Sequence, residues 1–205
     1  MKIIDLHPGG FASACYLASV GRDAVLIDCS APVSAVREAL EQSGTHLRAI
    51  LCTHGHFDHI LTADAVRDAF DVPLLIHEAD AEMLTSGTKN AYALFAGYEK
   101  SWRAAERVFC DKELLTFGDV ALTVRHTPGH SRGSSMLFGE GIAFSGDTIF
   151  SNTFGRTDLY GGNSADLYRT LLALKALPPE TVIYPGHGSS ATLGDALHTI
   201  FSKNS

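Results

Sequence analysis

The stretch THGHFDH, residues 53–59, places three imidazoles and a carboxylate within six residues of a 205-residue chain that has ten histidines. The apolar run before it, LRAILCT (47–53), reads as a short strand, and ILTADAVRDAF (60–70) after it reads as an amphipathic helix. The cluster therefore occupies a strand-to-helix corner. In extended backbone, side chains at i and i+2 point the same way, so His54 and His56 can reach one centre. Asp58 and His59 follow as the chain turns, and their vectors must differ. That geometry implies two adjacent centres, with a helix start near Asp58 favouring its carboxylate. A chance H-x-H-x-D-H match is expected roughly 0.002 times in a chain of this composition, so the cluster is a signal.

Four such side chains do not close two metal sites. A zinc-like catalytic ion takes three or more protein ligands and keeps one position open. Isolated ligand-type residues at strand ends supply three further candidates: His130 in TPGHS (127–131), Asp147 in SGDT (145–148) and His187 in YPGHG (184–188). Each follows a glycine, which lets the backbone bend and turn the next side chain inward. Alone each is weak, and together beside the 54–59 run they form a pattern. The remaining histidines, His7, His46, His77, His126 and His198, take the plain reading of surface or hydrogen-bonded side chains, as do Asp5, Asp23, Asp28 and Asp158.

Outward from these motifs the chain reads as alternating strands and helices. KIIDL (2–6) is a strand; 14–19 and 24–28 form a hairpin about Gly21; a helix follows Pro32 and stops at Gly44. VPLLIH (72–77) is a strand and 78–85 a helix. In the second half, 119–127, 134–139 and 141–148 are strands, 164–177 is an amphipathic helix halted by Pro178-Pro179, 181–188 is a strand and 193–201 a closing helix. The order implies an α/β fold of two βα halves, one domain over residues 1–205. Residues 86–104, with Tyr92, Phe95, Tyr98 and Trp102, show no clean period. They read as a lid over a site or as a plain surface loop.

Composition bounds the partners. The net charge is −7, with 16 Lys and Arg against 23 Asp and Glu. No basic run is present, which argues against nucleic acid or an anionic membrane. Residues 11–20 are apolar but too short to span a bilayer, and no secretory leader is visible, so a cytoplasmic location is expected. Cys15, Cys29, Cys52 and Cys110 form no CxxC pair and read as buried thiols. The oligomeric state is not legible.

THGHFDH, TPGHS, SGDT and YPGHG, in this order, resemble the metallo-β-lactamase superfamily over the whole chain. The resemblance implies a four-layer αβ/βα sandwich with two divalent ions at one edge of its sheets, zinc first, iron or manganese as alternatives. It implies His54, His56 and His130 as ligands of the first ion, Asp58, His59 and His187 as ligands of the second, and Asp147 as the bridge. It also implies hydrolysis by a water that the ions acidify and share, with Asp58 orienting it.

Finer features narrow the class. Asp147 stands where the commonest β-lactamase subclass carries Cys, and Phe150 where quorum-lactone hydrolases carry Tyr. The segment GRTD (155–158) resembles that of short type II glyoxalases, which cleave S-lactoylglutathione, and of persulfide dioxygenases. The first family implies a thioesterase on a small anionic substrate. The second implies one iron held by residues matching His54, His130 and Asp147. Arg156 then meets the substrate anion, since its fork suits a carboxylate; the other reading makes it a structural loop residue. Ser189 stands where glyoxalases of this type commonly carry Tyr, the loop after Ile27 reads DCSA rather than DPGG, and only one short helix follows His187. A scaffold protein on this fold would usually lack ligands, and all seven are present here.

Overall fold

The computed structural model describes residues 1–202. Its first half is a sheet of β1 (Lys2–Asp5), β2 (Tyr16–Val20), β3 (Asp23–Ile27), β4 (His46–Leu51), β5 (Leu74–His77) and β6 (Arg107–Phe109), paired in chain order. β1, β2 and β3 pair antiparallel, and β3 to β6 run parallel. The second half builds another sheet from β7 (Leu114–Phe117), β8 (Val120–His126), β9 (Ser135–Gly139), β10 (Ile142–Gly146), β11 (Val182–Pro185) and β12 (Ala191–Thr192). There only β10 and β11 are parallel; the other neighbours are antiparallel.

Period-2 alternation sorts the strand side chains into layers. Leu26, Ile50, Leu74 and Ile76 face α1 (Val33–Ser43) and α2 (Ala63–Phe70), where they meet Val36, Leu40 and Val66. Val25, Ile27, Leu51 and Leu75 face the other sheet and pack on Val120, Leu122, Leu137 and Phe144. Met136, Ala143 and Ile183 face outward from the second sheet onto α5 (Ser164–Leu174) and α6 (Leu193–Ser202), through Leu167, Leu171 and Leu197. Three apolar layers thus separate four layers of structure: the αβ/βα sandwich that the resemblance implies. Inner strands buried on both faces explain the continuous apolar runs.

Several boundaries differ from the sequence expectation. The helix after the histidine cluster begins at Ala63; Phe57–His59 is a 3₁₀ turn. Asp58 therefore gains nothing from a helix start. The helix expected over 78–85 is a 3₁₀ turn followed by α3 (Ala81–Leu84). Within 86–104 the only regular piece is α4 (Tyr92–Ala96). β6 and β7 were not visible in the sequence, because both lie at sheet edges and carry exposed charged or polar residues. Cys110 is exposed, not buried like the other three thiols: it follows Phe109, the inward residue at the end of an edge strand. Among the described residues no helix is long and apolar enough to cross a membrane.

Candidate metal centre

Every ligand-type residue lies just beyond the carboxyl end of a strand. His54 to His59 follow β4, His130 follows β8, Asp147 follows β10 and His187 follows β11. This is the end of an open sheet where loops diverge and leave a crevice. The two sheets are joined here by the Tyr16 hydroxyl donating to Pro185 O at 2.8 Å and by Ala14 N–H to Gly186 O at 2.7 Å. Ser135 N–H also donates to Thr53 O at 2.9 Å. The loops of both halves therefore meet at one place.

The fold brings all seven residues together. His54, His56 and His130 form one group with ligand atoms within 4.8 Å of one another, and Asp58, His59 and His187 form another. His54, His59 and Asp147 form a third that joins them. Asp147 spans both sides: Oδ1 lies 3.3 Å from His59 Nε2, and Oδ2 lies 3.6 Å from His130 Nε2 and 3.8 Å from His187 Nε2.

The glycines before His130, Asp147 and His187 act in two ways. Gly129 (φ 138°) and Gly146 (φ 48°) hold backbone that other residues rarely adopt. Gly186 is needed for space: a Cβ there would lie 2.3 Å from Asp147 Oδ1 and 2.5 Å from His59 Cε1.

Hydrogen bonding fixes which ring atoms face inward. The other ring nitrogen of a ligating histidine usually donates to a carboxylate or carbonyl. His130 Nδ1 lies 2.7 Å from Arg156 O, an acceptor only, so Nε2 carries the lone pair. That lone pair meets His56 Nδ1 at 2.8 Å and His54 Nε2 at 3.1 Å. His59 Nδ1 lies 2.7 Å from Asp28 Oδ2, so a neutral His59 turns a lone pair toward the Asp147 carboxylate. His59 Nε2 and Asp147 Oδ1 are both buried without a hydrogen-bond partner, as is His56 Nε2. Lone pairs converging in a buried pocket repel unless positive charge sits among them. The residues present therefore fit divalent ions.

The titration behaviour divides the rings into two kinds. Burial, then the neighbouring rings, drives the His54 pKa well below its usual value; burial, then His130, takes His56 down to about 3. Burial opposes charge on His59, but Asp28, Asp147 and Asp58 outweigh it and raise its pKa. Burial would raise Asp147 and Asp58; His59, His130 and His187 hold Asp147 below the usual carboxylate range, and His59 and His187 do the same for Asp58. Neutral His54 and His56 and the ionised carboxylates are in the protonation states that ligation needs, whereas His59 and His187, both raised by carboxylates, must release a proton to ligate.

Two residues escaped the sequence reading. Asp28, read there as an ordinary surface or hydrogen-bonded side chain, is buried at φ 56° and accepts from Thr53 N–H and Oγ1 as well as from His59. Asp80, which drew no attention, is fully buried beneath the cluster. A lone Asp carries no spacing pattern; the one available signal was its position at a strand end.

Arg156 lies at the mouth. Its guanidinium is half-exposed and grips Asp158 through Nε at 2.6 Å and Nη2 at 2.7 Å. It also lies 6.0 Å from the Phe95 ring centroid. Phe95 packs on Phe57 with centroids 5.5 Å apart, so the 86–104 segment flanks the entrance. Trp102 is buried in the outer core of the first half and anchors that segment. The anchor is reinforced by Arg67, which donates to the carbonyls of Arg103 and Ala104.

Comparison with known proteins agrees with this arrangement. Residues 8–187 match the family model described as Metallo-beta-lactamase superfamily. A probable metallo-hydrolase of Streptococcus pyogenes is 36% identical over 176 residues, 82% of this chain and 76% of that protein. A hydroxyacylglutathione hydrolase of Tolumonas auensis is 33% identical over 180 residues, 84% of this chain and 60% of that one. Among solved structures, the B3 metallo-β-lactamase BLEG-1 superposes with a TM-score of 0.88 at 32% identity over 95% of both chains. TTHA1623, in a di-iron-bound form, superposes with a TM-score of 0.84 at 31% identity over 98% of both chains. With the fold, the strand-end cluster of ligand-type residues and these likenesses in agreement, the chain belongs to the metallo-β-lactamase superfamily as a metal-dependent hydrolase.

Proposed function

We propose that the protein hydrolyses small anionic thioesters of the S-lactoylglutathione type. His54, His56 and His130 would hold one divalent ion and Asp58, His59 and His187 a second, with Asp147 placed between the two groups. Two such ions, zinc in the first instance, supply an acidified water near neutral pH and polarisation of the substrate carbonyl. Asp28 keeps His59 in the tautomer that offers Nε2 inward, and Arg156 O does the same for His130. Asp58, 3.1 Å from His187 Nε2, would accept the hydrogen bond that orients the attacking water. A thiolate leaves readily, so no strong general acid is required, and the depressed pKa values of His54 and His56 make neither a proton donor.

The observation that carries the substrate reading is the GRTD loop. Arg156 is tied to the centre through its own carbonyl on His130, while its guanidinium stands at the mouth. Its present partner Asp158 is an exposed carboxylate two residues on, and such pairs are weak, so a substrate carboxylate can take its place. The name of the Tolumonas relative supports the same substrate class. A second reading, β-lactam hydrolysis, is favoured by the likeness to BLEG-1.

Product release on the metal-loaded protein separates the two. S-lactoylglutathione, a neutral thioester and a chromogenic β-lactam are compared at equal concentration. The proposal predicts fastest turnover of the anionic thioester; a β-lactam turned over faster would replace it with the second reading.

A further inference from the structure

Asp80 closes the 3₁₀ turn that follows β5 and is fully buried. It lies outside all three groups of ligand-type residues. No salt bridge reaches it among the described residues; burial raises its carboxyl pKa, opposed chiefly by hydrogen bonds and last by nearby His130. The hydrogen bonds number three. Oδ1 accepts from Gly133 N–H at 2.6 Å; Oδ2 accepts from Ser131 Oγ at 2.6 Å and from Gly55 N–H at 3.2 Å.

The donors share one property. Gly55 stands between His54 and His56, and Ser131 and Gly133 follow His130. None comes from the loop that carries His187; Gly55 shares the 53–59 stretch with Asp58 and His59, but it stands directly between His54 and His56. Glycine lets both loops close on the carboxylate: a Cβ at Gly133 would lie 2.7 Å from Asp80 Cγ, and one at Gly55 would lie 2.6 Å from Met83 Cβ. One buried side chain thus ties the loop from the first half to the loop from the second, at residues adjoining His54, His56 and His130.

We propose that Asp80 is a positioning residue that sets the spacing of His54 and His56 against His130, and so tunes metal affinity at that group selectively. The inference rests on the ligand assignment proposed above. Supporting partners of metal ligands typically change affinity 10- to 100-fold when removed. Asparagine keeps the shape and one acceptor, but its amide meets the Gly55 N–H with a donor. Alanine loses all three bonds.

The test is a metal titration of the full chain, stripped by chelator and reloaded with zinc in competition with a chromophoric chelator. Asp80→Asn and Asp80→Ala are measured alone and combined with His187→Ala or His130→Ala. We expect Asp80→Asn to weaken one of the two binding steps roughly tenfold, and the step that remains with His187→Ala by the same factor. With His130→Ala, which already disables the group, the Asp80 change should have no further effect. Equal loss in both backgrounds would overturn the proposal, as would unchanged affinity with a lowered Tm of the metal-free protein. If Asp80→Ala does not fold, Asp80→Asn and Ser131→Ala carry the same comparison. If His130→Ala by itself leaves zinc binding intact, the ligand assignment has failed instead.

Discussion

At the scale of the residue, the centre is a problem in lone pairs. His59 and His130 spend one ring nitrogen each on Asp28 and on Arg156 O, and both turn the other toward the Asp147 carboxylate. Asp147→Ala should therefore remove both metal binding and hydrolysis, read by metal content and rate on one sample; full activity in the variant would end its bridging role. Arg156→Ala should raise KM for an anionic thioester roughly tenfold, the scale of a charged hydrogen bond, and leave a neutral ester nearly unchanged. Equal effects would remove Arg156 from the substrate site. The seven ligand-type residues were legible in sequence because they sit in motifs. Asp28 and Asp80 were not, because their role depends on two loops that meet only in the fold.

At the scale of the element, caps and turns hold the site loops in place. α5 begins at Asn163, whose Oδ1 accepts from Ala165 and Asp166 N–H at 3.0 and 3.1 Å. Asn163→Ala should cost about 1 kcal/mol, read by denaturant unfolding. Because Gly129 abuts Leu167 in this helix, fraying should also loosen the His130 loop. β5 ends at His77, buried and stacked on His126 with centroids 4.2 Å apart. Burial, then His126, brings the His77 pKa down to about 4. Its folded value lies below the unfolded one of about 6.5, so stability is lost as pH falls from about 6.5 toward 4. His77→Asn keeps an acceptor for Ala79 N–H and should flatten that acid slope in Tm; an unchanged slope would exclude His77 as its source. Helices and inner strands were legible from their periods. Edge strands β6 and β7 were not, since pairing on one side leaves much of them wet.

At the scale of the whole molecule, two sheets supply one site. The first half brings His54 to His59, the second brings His130, Asp147 and His187, so the proposed ligand assignment makes ion binding a tie between the halves. Chelation should lower Tm by roughly 5–10 °C, the shift expected when a ligand at about 100 times its Kd is withdrawn, and reloading should restore it. An unchanged Tm would place the metal off the junction. The four-layer order was legible because βα alternation with continuous apolar strands leaves few other packings; the position of residues 86–104 was not, because Phe95 on Phe57 and Trp102 in the core are long-range contacts without a local period.

The central claim is a dinuclear centre that hydrolyses thioesters. The most direct measurement counts metal ions per chain in the purified protein and follows S-lactoylglutathione cleavage on the same sample as metal is added back. We predict about two ions per chain, with hydrolysis tracking their occupancy. A single iron, with oxygen uptake and no thioester cleavage, would contradict it.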